Sequence, residues 1–406
     1  MKVDPSHYLL DESVNLLNKW IENARQSNPI SRFVEKKGEK MTTLEAAVAL
    51  NMISGLGPIR MKRLVEAFGD PSAVLSASRS QLCSVKGVGE DLAARILAWR
   101  DEIDLDEELR LAEKHGVTIH DWSSDAYPEL LREIHDPPIV LYAWGKLIPH
   151  DRRSIAMVGA RQPTHYGMEM ARRLGYQIAY AGIPVISGLA RGIDTHAHQG
   201  ALAAQGRTVA VIGAGLLEIY PPENAGLAKK IAETGAVVSE FPLRRKPDRQ
   251  TFPMRNRIVS GWSFGVLVVE ATLRSGAMIT ANQAAEQGRA LFAVPGPIDR
   301  PESMGCNRLI QQGAKLVMEV GDVLDELGLL IPSEETLPQP AREPRAEGLT
   351  KEAVEVLLAI GMDETSVDQI VEKSCLPISV VLPTLMGLEL RRLVKQMPGK
   401  RFIKTS

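Results

Sequence analysis

Glycines set beside arginine, serine or asparagine recur at the ends of short apolar runs, and together they supply the chemistry of anion binding. The fullest case is IPVISGLARGIDTHAHQGAL, residues 183–202. A β-branched run stops at Ser187-Gly188, a loop with Arg191 and Gly192 follows, and Asp194 or Thr195 can cap a helix through Ala197, Ala201 and Leu202. Strand, glycine turn and helix aim backbone N–H groups and the positive end of a helix dipole at one spot, which suits a phosphate. Arg191 can add a charge-assisted bond there. A turn that only joins a strand to a helix uses glycine too, but here the pattern recurs after several other strands. VGARQPT (158–164) carries Gly159 and Arg161. IGAG (212–215) leads to YPPEN (220–224) with Asn224, and FPMRNR (252–257) brings Phe252, Arg255, Asn256 and Arg257. EATLRSGA (270–277) adds Ser275 and Gly276. Within residues 241–257, Arg244, Arg245, Lys246, Arg249, Arg255 and Arg257 face one acid, Asp248. One small cofactor does not need so many anion-ready loops, whereas a strand of phosphates does. Phe252, the aromatic nearest Arg255 and Arg257, fits either a base-stacking role or a core role.

The elements that must hold these loops are short continuous apolar runs at 155–158, 183–187, 208–212, 236–239, 266–269, 290–294 and 315–318. Such runs fit strands covered by helices on both sheet faces, and stretches of helical character lie between them. An α/β fold follows: a doubly wound, Rossmann-like parallel sheet over residues 113–330, with ligands at the carboxyl ends of its strands. Residues 1–41 form an extension, with Leu9, Leu10, Leu16, Leu17 and Ile21 at helical spacing and a charged run at 35–40. Over 42–112 two similar interruptions, Gly55-Leu56-Gly57 and Gly87-Val88-Gly89, join short helices, the pattern of a tandem helix-hairpin-helix or SAM-like module. Its glycines can offer N–H groups to a nucleic-acid phosphate, or the hairpins can serve only to pack. Arg60, Lys62 and Arg63 favour an anion at the first hairpin, while Glu90 and Asp91 oppose one at the second. The acidic helix at 101–115 reads as a connector. A Pro/Glu-rich linker spans 331–347, and 348–406 holds three helical patterns and a terminal hairpin, which look like a winged helix.

Composition narrows the partners. The 406 residues carry a formal net charge of −2, with 44% hydrophobic and 24% charged residues, so any nucleic-acid site must be a local cluster. Cys83, Cys306 and Cys375 stand far apart, which suits a reducing cytoplasm and offers neither a zinc site nor a disulfide framework. No apolar run approaches membrane-span length, and the amino terminus lacks the layout of a signal peptide. His196 and His198, two apart on a helix, face different directions and suit structural roles. Gly213-Ala214-Gly215 lacks the third glycine of a dinucleotide fingerprint, and no phosphate-binding G-x-x-x-x-G-K motif occurs, so no cofactor is expected. Asp194, Glu240 and Glu270 lie at strand ends without a paired base, nucleophile or ligand set, which points to capping and ion pairing rather than catalysis. The third helix of the winged-helix region, 378–388, has no Arg, Lys, Asn or Gln to reach base edges, and Pro383 is expected to kink it. The tail beyond it carries Arg391, Arg392, Lys395, Lys400, Arg401 and Lys404, enough for a weak backbone contact.

VGARQPTHYG, SGLARGIDTHAHQGAL, TVAVIGAGLLEIYPPEN, FPMRNRIVSG, VVEATLRSGAMITA and FAVPGP, in this order, resemble the bacterial DNA-processing protein A (DprA, also called Smf) family. The resemblance covers residues 42–406. It implies a homodimeric, non-enzymatic protein with an extended Rossmann domain. The implied function is to bind single-stranded DNA without sequence preference and load the RecA recombinase during natural transformation. By that pattern Gly159, Arg161, the loop Ser187, Gly188, Arg191 and Gly192, and Asn224 line the DNA groove. Phe252, Arg255, Asn256, Arg257, Ser275 and Gly276 complete it. Two positions depart: some members carry Lys after the Tyr-Pro of the third loop, where Pro222 stands, and many carry Ser in place of Ala277. A rival resemblance is to nucleotide phosphoribohydrolases related to cytokinin activation, enzymes on nucleoside monophosphates. Their Pro-Gly-Gly-x-Gly-Thr signature is missing here, where residues 274–280 read RSGAMIT.

Overall fold

A computed structural model describes residues 41–330, 350–360, 365–374, 376–390, 393–397 and 401–404. The expected amino-terminal helix, the 331–347 linker and the tail residues Arg391, Arg392 and Lys400 lie outside them. Two compact units divide the chain, residues 1–335 and 336–406.

Nine strands form the main sheet: β1 (Val117–Asp121), β2 (Val140–Gly145), β3 (Ile155–Val158), β4 (Val185–Ser187), β5 (Thr208–Val211), β6 (Ala236–Ser239), β7 (Gly265–Val268), β8 (Ala290–Ala293) and β9 (Lys315–Leu316). Their order is β1-β2-β6-β5-β4-β3-β7-β8-β9. All seven runs expected as strands are present, and every pairing among β3 to β9 is parallel. The sheet is mixed, however, not purely parallel, because β1 and β2 add an antiparallel edge next to β6. β1 escapes a search for continuous apolar runs because it alternates: Val117, Ile119 and Asp121 are buried while Thr118 and His120 are less so. The chain winds from β3 outward to β6, then returns past β3 to β7 and winds the other way. The turns after β3 and β7 therefore diverge, and this switch point is where open α/β sheets bind ligands.

Both faces of the sheet are covered, as strands without polar alternation require. Ile155, Met157, Val185, Leu267 and Phe292 pack with the helices His165–Tyr180 and Ile193–Ala203. Ala156, Val158, Ile186, Val211, Val266 and Val268 pack with the helices Thr251–Trp262 and Gly276–Glu286. Fully buried side chains such as Leu141 and Phe292 each contribute about 1.5–3 kcal/mol by leaving water.

The helices of residues 43–114 share one continuous core with the sheet rather than keeping one of their own: Leu50, Leu64, Leu82 and Ile96 lie in the same cluster as Tyr142, Ala210 and Leu243. The hairpins have the expected form, with Gly55 and Gly87 at positive φ. The acidic 101–115 stretch does more than connect. Its helix, Leu105–Lys114, buries Glu108, whose Oε1 accepts from the backbone N–H of Leu243 at 2.8 Å.

The second unit has the helices Lys351–Ala359, Val367–Ser374 and Ile378–Leu390 and a three-stranded antiparallel sheet of β10 (Thr365–Ser366), β11 (Val394–Met397) and β12 (Arg401–Lys404), ordered β10-β12-β11. Val356, Ile370, Val381, Leu385 and Phe402 form its core, a winged-helix arrangement. Pro383 sits inside the third helix without ending it. Among the described residues no single helix is long and apolar enough to cross a membrane.

Candidate nucleic-acid interface

The turns after β3, β4 and β7 and the helix Thr251–Trp262 enclose a groove of about 740 Å³ at the switch point. Of the residues expected at a DNA groove, Gly159 and Arg161 enter its lining from the β3 turn, and Gly188 and Arg191 from the β4 turn. Arg255 and Asn256 enter from the helix, and Ser275 and Gly276 from the β7 turn. Sequence neighbours as far apart as 159 and 276 thus meet because parallel strands end at one edge.

The β4 turn is built for close approach. A Cβ on Gly188 would lie 1.4 Å from Arg255 Nη1, so only glycine leaves room for that guanidinium. Gly192 has φ +78°, and a Cβ there would meet the Ala160 carbonyl oxygen at 2.2 Å. Ser187 is fully buried and donates to the Met157 carbonyl at 2.6 Å, which joins β4 to β3 instead of reaching the groove. Asn224 also works from beneath. Its Nδ2 donates to the Leu189 carbonyl at 2.8 Å and to Thr195 Oγ1 at 2.9 Å, and Thr195 in turn donates to the Ala190 carbonyl at 2.7 Å.

Asp194 does not cap the helix as expected; the helix opens at Ile193 with Gly192 as its N-cap. Asp194 instead turns its carboxylate back into the loop and accepts from the N–H groups of Gly188 at 3.1 Å and Ala190 at 3.3 Å. Two N–H groups that the sequence offers to a phosphate are therefore already used, and positive charge in the groove comes from side chains. Burial pushes the Asp194 carboxyl up from its ordinary range, against the pull of Arg255 and those N–H donors. Burial also lowers the Arg255 guanidinium, with Asp194 opposing the shift and Arg161 adding to it. Arg255 is anchored by Nη1 to the Val211 carbonyl at 2.9 Å, while its Nε is buried without a protein partner.

Aromatic rings lie beside the arginines. Phe252 is half-buried, so its two expected roles merge: it packs against Tyr220, ring centroids 5.7 Å apart, and still borders a recess next to the groove. The Arg161 guanidinium carbon lies 5.2 Å from the Phe252 ring centroid, and that of Arg191 lies 5.8 Å from Tyr220. Tyr220 is a site residue that sequence reasoning missed, although its Tyr-Pro turn follows the glycines of the third loop. At the β7 turn, Ser275 is the N-cap of the helix Gly276–Glu286 without making a side-chain cap bond, and its Oγ is buried without a protein partner. The departing positions are both local to the site: Pro222 opens a 3-10 turn, and Ala277 lies in the groove wall.

Arg257, expected at the groove, does not line it. It sits two residues beyond Arg255 on the same helix and so faces away, 4% exposed. Its Nη1 and Nη2 bind Glu240 at 2.8 and 2.6 Å, and its Nε meets Asp136 at 2.9 Å. The basic run of 241–257 disperses likewise: Arg244 approaches Glu107 at 3.6 Å and Arg245 pairs with Asp248 at 2.5 Å. The strand-end acids are committed to the fold. Glu270 accepts from both Thr164 N and Thr164 Oγ1 at 2.9 Å, and Glu240 holds Arg257. His198 is structural, as expected from its position. Thr208 Oγ1 donates to the Val185 carbonyl, so His198 donates through Nδ1 to Thr208 at 2.7 Å, and burial pushes its pKa down to about 3.

A doubly wound α/β sheet with an arginine-lined groove at its switch point, preceded by tandem hairpins and followed by a winged helix, defines the class. Residues 118–328 match the family described as DNA recombination-mediator protein A, residues 339–400 the DprA winged helix domain, and residues 48–98 the SAM-like helix-hairpin-helix tandem. The chain belongs to the DNA recombination-mediator protein A (DprA/Smf) family. It is 34% identical over 387 residues to Protein Smf of Synechocystis, a match covering 87% of this chain and 97% of that protein. With DNA processing protein DprA of Bacillus subtilis it shares 44% identity over 236 residues, 57% of this chain and 80% of that one. The X-ray structure of DNA processing protein A from Streptococcus pneumoniae is similar with a TM-score of 0.63 at 35% identity, covering 71% of this chain and 99% of that one.

Proposed function

We propose that this chain binds single-stranded DNA along the switch-point groove without reading its sequence, and passes it to the RecA recombinase in the cytoplasm. The observation that carries the reading is the convergence of Arg161, Arg191 and Arg255, from three separate segments, on a groove flanked by Phe252 and Tyr220. Guanidinium groups hold phosphates by charge-assisted bonds, and aromatic faces accept any base, a combination suited to an unpaired strand. The family's description as a recombination mediator, and the relatives' name as DNA-processing proteins, support a recombinase as the recipient. The third helix of the winged-helix unit supports sequence independence. Its exposed positions include Ile378 and Leu382, which cannot read a base edge by hydrogen bonding.

Binding rather than hydrolysis is the activity. Asp194, Glu240 and Glu270, the acids a hydrolase would draw on, are each spent on a loop, an ion pair or a helix start. The chain acts as a homodimer, for which the β9 edge is the favoured surface. Among the described residues β9 is the last strand of the sheet, and Leu316 and Met318 are exposed there at 38% and 75%. Leu316→Arg is expected to yield monomers in sedimentation, and an unchanged mass would place the dimer contact elsewhere.

Fluorescence anisotropy with a labelled oligothymidylate, the same strand annealed to its complement, and mixed-sequence single strands tests the binding reading. Tight, sequence-tolerant binding of single strands is expected. Preference for duplex, or release of ribose phosphate from AMP, would overturn it.

A further inference from the structure

Arg191 reaches the groove already engaged. Its Nε donates to Glu223 Oε1, both side chains being 51% exposed. The Glu223 carboxyl is held below its usual range by the bond from Arg191 and by a backbone N–H. The pairing is built in. Glu223 lies in the 3-10 turn Pro222–Asn224, and Asn224, 6% exposed, bolts that turn to the Leu189 carbonyl of the Arg191 loop and to Thr195 in the first turn of the helix that follows it. The turn cannot drift away from Arg191 without breaking those buried bonds. A carboxylate oxygen on a guanidinium N–H occupies the place a phosphate oxygen takes in a charge-assisted pair.

We infer that Glu223 is an internal competitor for the groove: its carboxylate holds Arg191 until a DNA phosphate displaces it, so Glu223 sets the affinity for single strands below what the arginines alone would give. The inference rests on the groove being the DNA site. Because the pair is solvent-exposed, its grip is weak enough for a polyanion to break. Displacement leaves Glu223 unpaired beside the bound strand, which opposes binding and offsets part of the counterion release that phosphate contacts produce. A structural strut would act the other way, presenting Arg191 to DNA, so the sign of the effect separates the two roles.

The test uses the full chain and a labelled oligothymidylate titrated at several salt concentrations. Glu223→Gln keeps the shape and removes the charge. It is expected to tighten binding up to about fivefold, which is about 1 kcal/mol. It should also steepen the plot of log affinity against log salt by about 0.7, the increment for one single-strand phosphate. In the Arg191→Ala background the same substitution is expected to gain nothing. Unchanged or weaker binding by Glu223→Gln would overturn the inference, as would an equal gain without Arg191, which is general charge repulsion. If wild type fails to bind the oligonucleotide at all, the groove reading itself falls, before any variant is compared.

Discussion

Two parts of this molecule present glycine turns with arginines beside them, and they use the arginines in opposite ways. In the hairpins of residues 43–114 the cations, Arg60 and Arg95 among them still exposed, are tied to backbone carbonyls. Arg60 donates to the Gly55 carbonyl at 2.9 Å, Arg63 to Lys86 at 3.2 Å, Arg95 to Ser54 at 3.2 Å, and Lys62 reaches the Ile134 carbonyl at 3.4 Å. These bonds tie one hairpin to the other and to the segment before β2. At the switch-point groove Arg161 and Arg191 stay at the surface, and the buried Arg255 keeps one N–H without a protein partner. A glycine turn with a nearby cation is therefore an incomplete signal for phosphate. What separates the two regions is that the hairpin cations are held by nearby backbone carbonyls, whereas at the groove surface Arg191 meets a carboxylate and Arg161 an aromatic ring. The helical region also touches the groove's surroundings through Asn51, which donates to the Glu240 carbonyl at 2.8 Å, and through Glu108 at Leu243. It thereby braces the segment after β6, whose Glu240 holds Arg257 on the helix Thr251–Trp262.

Substitutions can break or sharpen that contrast, and the largest effect is expected where an arginine is structural. Arg257→Ala leaves Glu240 and Asp136 without their buried partner, and a loss of about 3–5 kcal/mol of stability is expected in denaturant titration. The salt slope of DNA binding in the fraction still folded should not change. A flattened slope would return Arg257 to the DNA site. Gly188→Val forces a side chain into the Arg255 guanidinium; overpacking costs about 1–3 kcal/mol, and DNA binding is expected to be lost with it. The matching hairpin variant, Gly57→Ala, meets nothing within 4 Å of the added carbon and is expected to bind as wild type. Anisotropy titrations of the two proteins side by side check the pair.

Arg161→Ala comes next. It removes one exposed charge-assisted bond, about 1.5–3 kcal/mol of affinity, and about 0.7 of salt slope, with the melting temperature kept. Arg60→Ala with Arg63→Ala is expected to have the smallest effect on DNA. Affinity and slope should stay at wild-type values while the melting temperature drops, and a reduced slope would make the hairpins a second DNA contact.

Much of this organisation was legible in the residues. Continuous apolar runs locate β3 to β8 because burial on both faces leaves little room for alternation, and the run at 315–318 locates the partly exposed edge strand β9. The loops that bear glycine and arginine then fall at one edge by topology alone. What escaped follows from orientation. Arg255 and Arg257 look equivalent in a list of cations, yet two residues on a helix are about 200° apart by its pitch, and only one can face the groove. Ile258, Val259 and Trp262 mark the buried side of that helix, but no spacing reveals that Glu240 and Asp136 wait there. Asp194 was legible as a polar residue at a helix start, whereas its use as the closing acceptor of its own loop depends on backbone directions that residue types do not encode. Two strands have no counterpart among the expected runs: β1, which alternates, and β2, Val140–Gly145, which is itself a continuous apolar run.

Photocrosslinking of an oligothymidylate to the full chain, followed by peptide mapping, tests the central claim most directly. Crosslinks are expected at Tyr220 and Phe252, the rings flanking the groove, and are expected to be lost in Gly188→Val. Crosslinks confined to residues 43–114, or to the winged-helix unit, would contradict it.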